Sequence, residues 1–370
     1  MDPTDTAIPR LECPMPHPTR YEYLKTLKDS SESTNLRYFF ALDLRQSFKI
    51  LPRLLGSIVE TAKFLGPSAC ALSIVEGHSN DGTLDILLAL QPELDRLGLK
   101  YFLHSSPTDS KSGERVEKLA ELRNLALAPL ESEAMGVDRD TTVIFLNNVA
   151  ICVEDILELV HQRILQSADM TCAMDWAYVG KDPTFYDVWV ARSMKGETFF
   201  HIPSDGSWDW AWNLFWNDPK SKEKLSRKLP FQVYACWNGA VAFGAAPILG
   251  LPAAAAAAAG AEGRKKESGT KISFRTSRDG ECIGGEPTLF CKDLWWAGYG
   301  KIAVVPSVNL EYSDEAARMI KDAQGYTSKW TDKWGDDATM IDWVAEPPDQ
   351  VKCMPGWENQ SWRPWNETLR

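Results

Sequence analysis

Strand-like and helical segments alternate along residues 36–146, and this alternation restricts the chain to a small number of folds. Four apolar runs have the character of strands, at residues 36–42, 70–75, 101–103 and 142–146. Between them, apolar residues recur at the three- and four-residue spacing of helices, at residues 47–64, 83–97 and 114–130. A wholly apolar strand such as the fourth needs cover on both faces. The order predicts an α/β fold with a doubly wound, mostly parallel sheet and a nucleotide site at the carboxyl ends of its strands.

The charge balance limits the partners. The 370 residues include 51 acidic and 40 basic side chains, which gives a net charge of -11. Such a chain repels a phosphate backbone overall, so we expect no nucleic-acid partner, although a local basic pocket for a diphosphate is compatible with it. No run of about 18 apolar residues encodes a membrane-spanning helix. We therefore expect either a soluble protein or a fragment of a membrane-anchored protein that lacks the anchor.

The cysteines bear on the compartment. They are scattered without a C-x-x-C pair, which argues against a zinc site. Their even number fits disulfides formed in an oxidising lumen, and buried free thiols are an equal alternative. Two glycosylation sequons, at Asn359 and Asn366, also favour the secretory pathway. The cysteines stand at positions 13, 70, 152, 172, 236, 282, 291 and 353.

Polar side chains follow the predicted strands on the nucleotide side. Asp81 lies in the turn before the second helix, where its carboxylate either binds a base or ribose or caps the helix. Arg115, Lys118 and Arg123 lie on the third helix. These cations either contact a diphosphate or form a solvated face paired with neighbouring glutamates. Both alternatives are open for each of these residues.

The fourth strand ends in two amides, Asn147 and Asn148. Carboxylates at such a strand end would hold Mn²⁺ or Mg²⁺ against a diphosphate, because hard oxygen ligands suit these ions. An asparagine offers a carbonyl oxygen but no charge, so the pattern predicts a weakened metal site. The acids that follow, Glu154 and Asp155, suit the first turn of a helix instead.

Several motifs in the same order resemble the fungal capsule-associated α-1,3-mannosyltransferases, glycosyltransferase family 69. The resemblance spans residues 13–312 and is carried by residues 146–149 (LNNV), 154–157 (EDIL), 185–192 (FYDVWVAR), 236–239 (CWNG), 289–295 (LFCKDLW) and 304–310 (VVPSVNL). It implies a GT-A type fold and retaining transfer of mannose from GDP-mannose to a mannose-containing glycan. It also implies dependence on Mn²⁺ or a similar ion. The implied location is the Golgi lumen of a fungus, as the luminal part of a type II membrane protein whose anchor is absent from this chain.

Two departures from the family pattern stand out. The family has aspartate where this chain has Asn148, which implies either a weakened enzyme or an inactivated one if that position binds the metal. The family also has Ser-Glu-Cys where this chain reads Gly285, Glu286 and Pro287. The glutamate is retained and the cysteine is lost.

The resemblance implies roles for individual residues. Glu286 would be the catalytic acid near the reacting carbons, positioning the acceptor hydroxyl or stabilising oxocarbenium character, and its structural alternative is an acid at a helix start before Pro287. The other implied roles are donor binding by Asp81, Arg115, Lys118, Arg123, Asn147, Asn238 and Gly239, acceptor binding by Asp175, Asp187, Trp189, Arg192 and Trp237, and metal binding by Asn148 and Asn309. Asn309, or a water, would replace the late histidine of many GT-A enzymes.

Domain organisation follows from the same patterns. We expect an N-terminal extension at 1–34, a nucleotide-sugar-binding half at 35–165 and an acceptor-binding half at 166–345 with a surface loop near 250–272. Residues 346–370 would form a C-terminal tail. Four tryptophans within residues 208–216 are either core packing or a platform for a saccharide. The rival to an enzyme is a non-catalytic glycan-binding or polysaccharide-assembly protein of the same fold, for which Asn148 is the main argument.

Overall fold

A computed structural model describes residues 11–25, 35–108, 114–179, 182–253 and 269–369. The strands in these ranges are β1 Leu36–Leu44, β2 Cys70–Gly77, β3 Lys100–Ser106, β4 Val137–Leu146, β5 Met170–Val179, β6 Asp182–Phe185, β7 Arg192–Ser193, β8 Phe231–Ala235, β9 Ala240–Gly244, β10 Ile302–Leu310, β11 Gln350–Cys353 and β12 Ser361–Pro364. The helices are α1 Leu51–Leu65, α2 Thr83–Leu97, α3 Arg115–Leu127, α4 Val153–Leu165, α5 Pro219–Ser226, α6 Glu286–Trp296, α7 Asp314–Gln324, α8 Thr327–Thr331 and α9 Asp336–Thr339.

One large sheet dominates the described part of the chain, in the order β3-β2-β1-β4-β9-β5-β10-β8-β7, with β6 paired to β5. β3, β2, β1 and β4 are parallel neighbours, and β10 is parallel to β5. β9 lies antiparallel between β4 and β5, and β8 continues antiparallel beyond β10. The predicted α/β class and its parallel nucleotide side are confirmed, whereas the second half of the sheet is mixed.

Both faces of the parallel strands are covered, as the apolar fourth strand requires. On β1, Phe39 and Ala41 belong to one buried core, and Tyr38, Phe40 and Leu42 belong to the other. The first core includes residues of α3 and α6, and the second includes residues of α1 and α4. Successive side chains of a β-strand point to opposite faces of the sheet. Because β1 is buried on both faces, its side chains alternate between the two cores.

Two helix boundaries differ from the sequence prediction for local reasons. The first helix begins at Leu51 rather than at position 47, because the backbone N–H of Ser47 donates to Oγ1 of Thr83 and the chain turns once before Pro52. The third helix ends at Leu127, and a 3-10 turn containing Pro129 follows. Proline has no N–H to continue an α-helix, which explains the change of geometry.

Six of the eight cysteines form disulfides, joining Cys13 to Cys152, Cys172 to Cys236, and Cys282 to Cys353. Cys70 and Cys291 are buried free thiols. Both alternatives left open by the sequence are therefore realised.

The two ends of the chain pack onto the sheet and its helices. In the N-terminal segment, Arg20 is ion-paired with Glu158 of α4 at 2.8 Å. The C-terminal residues, which the sequence predicts to be a tail, contain the antiparallel β11–β12 hairpin. Of the surface loop expected near 250–272, residues 254–268 lie outside the described residues. No helix in the described ranges is long and apolar enough to cross a membrane.

Candidate active site

A cavity of about 400 Å³ opens at the carboxyl ends of the parallel strands, lined from α3, the turn before β9, the start of α6 and the β11–β12 hairpin. A second cavity of about 280 Å³ lies beside the ends of β1 and β4 and is lined by Asp43, Arg45 and Asn148 among others. Arg115 and Leu119 of α3 line both. The two cavities are therefore neighbours that share a wall at the start of α3, at the edge of the sheet where the alternating pattern predicts a nucleotide.

Arg123 and Glu286 form a buried ion pair in the wall of the larger cavity. Nε of Arg123 lies 3.0 Å from Oε1 of Glu286, and both side chains are almost fully buried. The guanidinium also lies over the ring of Trp237, 4.4 Å from its centroid. Nε and Nη1 of Arg123 nevertheless make no aligned hydrogen bond within the described structure. Buried donors without acceptors are costly, so this arginine is suited to an anionic or hydroxyl-rich ligand.

Asp43, at the end of β1, is a functional candidate that sequence reasoning missed. Burial raises the pKa of its carboxyl to about 6, the positive charge of Arg123 lowers it, and the charge of Glu286 raises it. A raised carboxyl pKa in a cavity is a mark of functional sites. The available signal was a lone acid near the end of a largely apolar strand.

Asp175 and Asp187 form a second carboxylate pair. Burial raises the pKa of Asp175 well above its ordinary value, and the neighbouring Asp187 raises it further. Burial also raises the pKa of Asp187 to about 6. Asp187 lines the cavity, whereas Asp175 is fully buried behind Tyr312, whose hydroxyl donates to it at 2.6 Å. The pair therefore keeps a proton more readily than isolated aspartates do. Of the two, only Asp187 lines the cavity.

The turn of residues 237–239 fixes the floor of the cavity. Asn238 and Gly239 both have positive φ, at 53° and 81°. A Cβ on Gly239 would lie 3.1 Å from Val149, so the turn needs a glycine here. The backbone N–H of Asn238 donates to Asp187, and the indole N–H of Trp237 donates to Oδ1 of Asn147 at 3.1 Å. Trp237 and Asn147 reach the cavity, while Asn238 and Gly239 shape the turn.

Aromatic side chains form the mouth of the cavity. Trp189 and Tyr186 both line it and remain 41% and 49% exposed. The ring of Trp189 packs on Trp357 with centroids 4.1 Å apart. Arg192 also lines the cavity, but its Nε and Nη1 donate to backbone carbonyls of Lys352, Val188 and Ala191. Arg192 therefore ties the mouth to the C-terminal hairpin.

Besides Asp175, Asn238 and Gly239, three further predicted site residues line neither cavity. Asp81 accepts hydrogen bonds from Thr83 at the start of α2 and from the N–H of Phe48, which is the structural alternative considered for it. Lys118 lines neither cavity. Asn309 is fully buried, with Oδ1 accepting from the indole N–H of Trp176 and Nδ2 donating to the carbonyls of residues 306 and 307. This is a correction to the expected metal role, because the oxygen of Asn309 already has its partner.

The remaining metal candidates lie in the smaller cavity. Asp43 and Asn148 line it together and offer one carboxylate and one amide oxygen. Within the described residues, no group of three His, Cys, Asp or Glu side chains is arranged to hold a metal. Mg²⁺ and similar ions are commonly held by one or two carboxylates with phosphate oxygens of the substrate. The two residues therefore fit a divalent ion that shares its coordination with a diphosphate.

The sheet and the two neighbouring cavities indicate a glycosyltransferase. Known relatives belong to the same class of protein. The profile of the family described as Cryptococcal mannosyltransferase 1 matches residues 37–293. The chain belongs to this family of mannosyltransferases, and the predicted enzyme class is confirmed. The strand order agrees with the α/β fold that was predicted for such an enzyme.

Individual relatives match most of the length of this chain. The chain is 34% identical over 364 residues to the alpha-1,3-mannosyltransferase CMT1 of Cryptococcus neoformans, covering 90% of this chain and 73% of the relative. Among solved structures, the mannosyltransferase PcManGT from Pyrobaculum calidifontis, in complex with GDP-Man and Mn²⁺, overlaps 79% of this chain and 61% of its own at 11% identity and a TM-score of 0.41. TarS of S. aureus (residues 1–349) overlaps 77% of this chain and 63% of its own at 15% identity and a TM-score of 0.40.

Proposed function

We propose that this chain transfers mannose from GDP-mannose to a mannose-containing glycan, forming an α-1,3 linkage with retention of the anomeric configuration. The observation that carries the proposal is that Arg115 lines both of the two neighbouring cavities. A nucleotide diphosphate sugar is a long ligand with its negative charge in the middle. The smaller cavity would take the nucleoside, Arg115 the diphosphate, and the larger cavity the mannose together with the acceptor.

The wall of the larger cavity supports the transfer step. Glu286 would offer a negative charge where positive charge develops at the anomeric carbon, and Arg123, whose Nε lies 3.0 Å from its Oε1, orients that carboxylate. Asp187, fixed by the N–H of Asn238, would accept a hydrogen bond from an acceptor hydroxyl. Retention in this fold is compatible with a front-face reaction, in which the departing phosphate takes the acceptor proton. Glu286 then needs no covalent bond to the sugar.

The proposal includes a divalent cation, Mn²⁺ or Mg²⁺, bound by Asp43 and Asn148. When bound, the ion would neutralise part of the diphosphate charge. Asp43 supplies the only carboxylate of the pair, so its protonation state decides how well the cation is held. Asn148 adds an oxygen ligand without charge, which predicts a lower affinity than an aspartate would give.

The proposed location is the lumen of the fungal Golgi. The disulfides support an oxidising compartment, because such bonds persist there and are rare in reducing ones. Asn359 and Asn366 of the two sequons are both exposed and therefore accessible for glycosylation.

The proposed reaction is tested by incubating the protein with GDP-mannose, α-mannobiose and Mn²⁺ and following the product by NMR. The expected product is a trisaccharide with a new α-1,3 linkage. Glu286→Gln, which keeps the size of the side chain, should lower kcat by about 10²-fold or more. The exposed Glu133→Gln serves as the matched control and should behave as the wild type. A β-linked product, or full activity of Glu286→Gln, would contradict the proposal.

A further inference from the structure

A segment outside the cavity, residues 201–216, exposes two tryptophans although it is firmly folded. Trp210 is 47% exposed and Trp212 is 74% exposed. Ala211, which lies between the two tryptophans, is only 5% exposed. Leu214 and Phe215, which follow them, are 8% and 1% exposed. The segment therefore has its own apolar contacts with the core, and the two exposed indoles are not needed to anchor it. Large apolar side chains that remain in water next to buried neighbours mark a binding surface.

The segment is connected to the mouth of the cavity through Trp357. Gly206 has φ of 74°, and a Cβ there would lie 2.7 Å from Cγ of Trp357, so this turn rests directly on the indole. Gln360, three residues beyond Trp357, donates to the carbonyl of Pro203 at 3.2 Å. Trp357 in turn packs on Trp189, which lines the cavity. Ring and backbone contacts thus link the cavity mouth to the start of the segment, and Trp212 lies six positions beyond Gly206, at most about 20 Å of extended chain.

Polar groups accompany the aromatic rings on this surface. His201 is exposed and lies 6.4 Å from the ring of Trp210 and 5.8 Å from that of Trp216. Asp205 and Asp209 are exposed in the same segment. Exposed indole faces beside carboxylate and imidazole groups are suited to sugars, whose C–H faces are apolar and whose hydroxyls need hydrogen-bond partners. A protein partner of ordinary interface size would need a larger continuous surface than two indoles.

We propose that Trp189, Trp357, Trp210 and Trp212 form an aromatic ledge that binds the part of a long acceptor glycan lying outside the cavity. The inference rests on the proposed function, because the ledge extends the acceptor site of that reaction. The ledge makes the enzyme prefer a long mannose oligosaccharide to a short one. Its occupant is the acceptor because Trp189, at one end of the ledge, lines the cavity in which the acceptor would react and packs on Trp357.

The ledge is tested by comparing KM for α-mannobiose and for an α-mannohexaose at saturating GDP-mannose. The wild type should have a KM for the hexaose about tenfold lower than for the biose. Trp212→Ala should raise KM for the hexaose about fivefold more than KM for the biose, and Trp212→Phe should restore most of the difference. Leu88→Ala removes a side chain of α2 that is 53% exposed and is the matched control, which should keep the length preference.

The outcomes separate the ledge from the reaction itself. Equal KM values for the two acceptors in the wild type, or a Trp212→Ala variant with unchanged length preference, would overturn the ledge while leaving the reaction intact. A wild-type dimer that Trp212→Ala converts to a monomer would also overturn it, since a second copy would then cover the surface. If neither acceptor is extended, the proposed function fails. A change of tryptophan fluorescence on adding the hexaose, lost in Trp212→Ala, would then still support the ledge, and its absence would overturn it.

Discussion

At the scale of single residues, the proposed cation site makes the side chain at position 148 decide how tightly a cation is held. Asn148 shares the smaller cavity with Asp43, and replacing its amide by a carboxylate would add a second negative charge. We expect Asn148→Asp to lower the Mn²⁺ concentration needed for half-maximal GDP binding by about tenfold. Titration calorimetry with GDP at a series of Mn²⁺ concentrations measures this. An unchanged Mn²⁺ requirement would show that position 148 does not contact the ion.

Asp43 should make cation binding depend on pH. Burial raises the pKa of its carboxyl to about 6, so the folded chain holds this proton more tightly than the unfolded chain does. Ionising Asp43 therefore costs stability as the pH rises through 6, whereas cation binding requires the ionised form. Below pH 6, Mn²⁺-dependent GDP binding should weaken by about tenfold for each pH unit.

The pH dependence of Asp43 has a direct control. Asp43→Asn should weaken Mn²⁺-dependent binding at pH 7 and remove its change between pH 5 and 7. Asp95→Asn, at an exposed position of α2, should retain the wild-type profile. A wild-type profile that is flat across this range would contradict the role of Asp43.

At the scale of elements, the Cys282–Cys353 disulfide joins the loop before α6 to β11, and both cysteines line the larger cavity. Replacing both by serine should lower the free energy of unfolding by about 2–4 kcal/mol. It should also lower kcat/KM for the acceptor, because the loop that leads to Glu286 loses its tether to the opposite wall. Denaturant unfolding and steady-state kinetics measure the two effects.

The matched control for this disulfide is Cys13–Cys152, which joins the N-terminal segment to the start of α4. Replacing both of those cysteines by serine should cost comparable stability and leave kcat/KM at the wild-type value at a temperature where the chain is folded. Equal kinetic losses in the two double variants would mean that the Cys282–Cys353 bridge acts only through global stability.

The elements also show how far local sequence determines this fold. Periodicity predicted α2 with its observed bounds at Thr83 and Leu97, because a helix with one apolar stripe is encoded by its own residues. The antiparallel insertion of β9 between β4 and β5 was not predicted, since neighbours in a sheet are set by contacts distant in sequence. The sequence predicts only a tail where the β11–β12 hairpin forms, because four-residue strands carry too little alternation to be recognised.

The site also contains residues that local sequence identifies and residues whose role depends on contacts distant in sequence. Glu286 and Trp237 could be proposed because they lie in motifs that resemble the family, and the structure brings both to one cavity. Asp43 was missed because its neighbours on β1 are apolar and its charge gains meaning only beside Arg123 and Glu286. The assigned roles of all these residues remain predictions. The division of the chain into domains also stays a prediction.

At the scale of the whole molecule, the site is assembled from distant parts of the chain. The larger cavity is lined by residues from Arg115 on α3 to Glu367 in the C-terminal region, beyond the 37–293 range that the family profile matches. The C-terminal hairpin is therefore part of the wall, so the proposed acceptor site lies partly outside the range that the family profile matches. The proposed function depends on the two neighbouring cavities holding a nucleotide diphosphate sugar across Arg115.

Titration calorimetry with GDP-mannose, with and without Mn²⁺, tests this claim most directly. The wild type should bind with micromolar affinity in Mn²⁺ and more weakly without it. Arg115→Ala should weaken binding by about tenfold or more, because it removes a charge-assisted contact to the diphosphate. Arg96→Ala, which removes an exposed arginine of α2, should bind as the wild type does. Absence of GDP-mannose binding by the wild type, or an Arg115→Ala variant that binds as tightly as the wild type, would contradict the account.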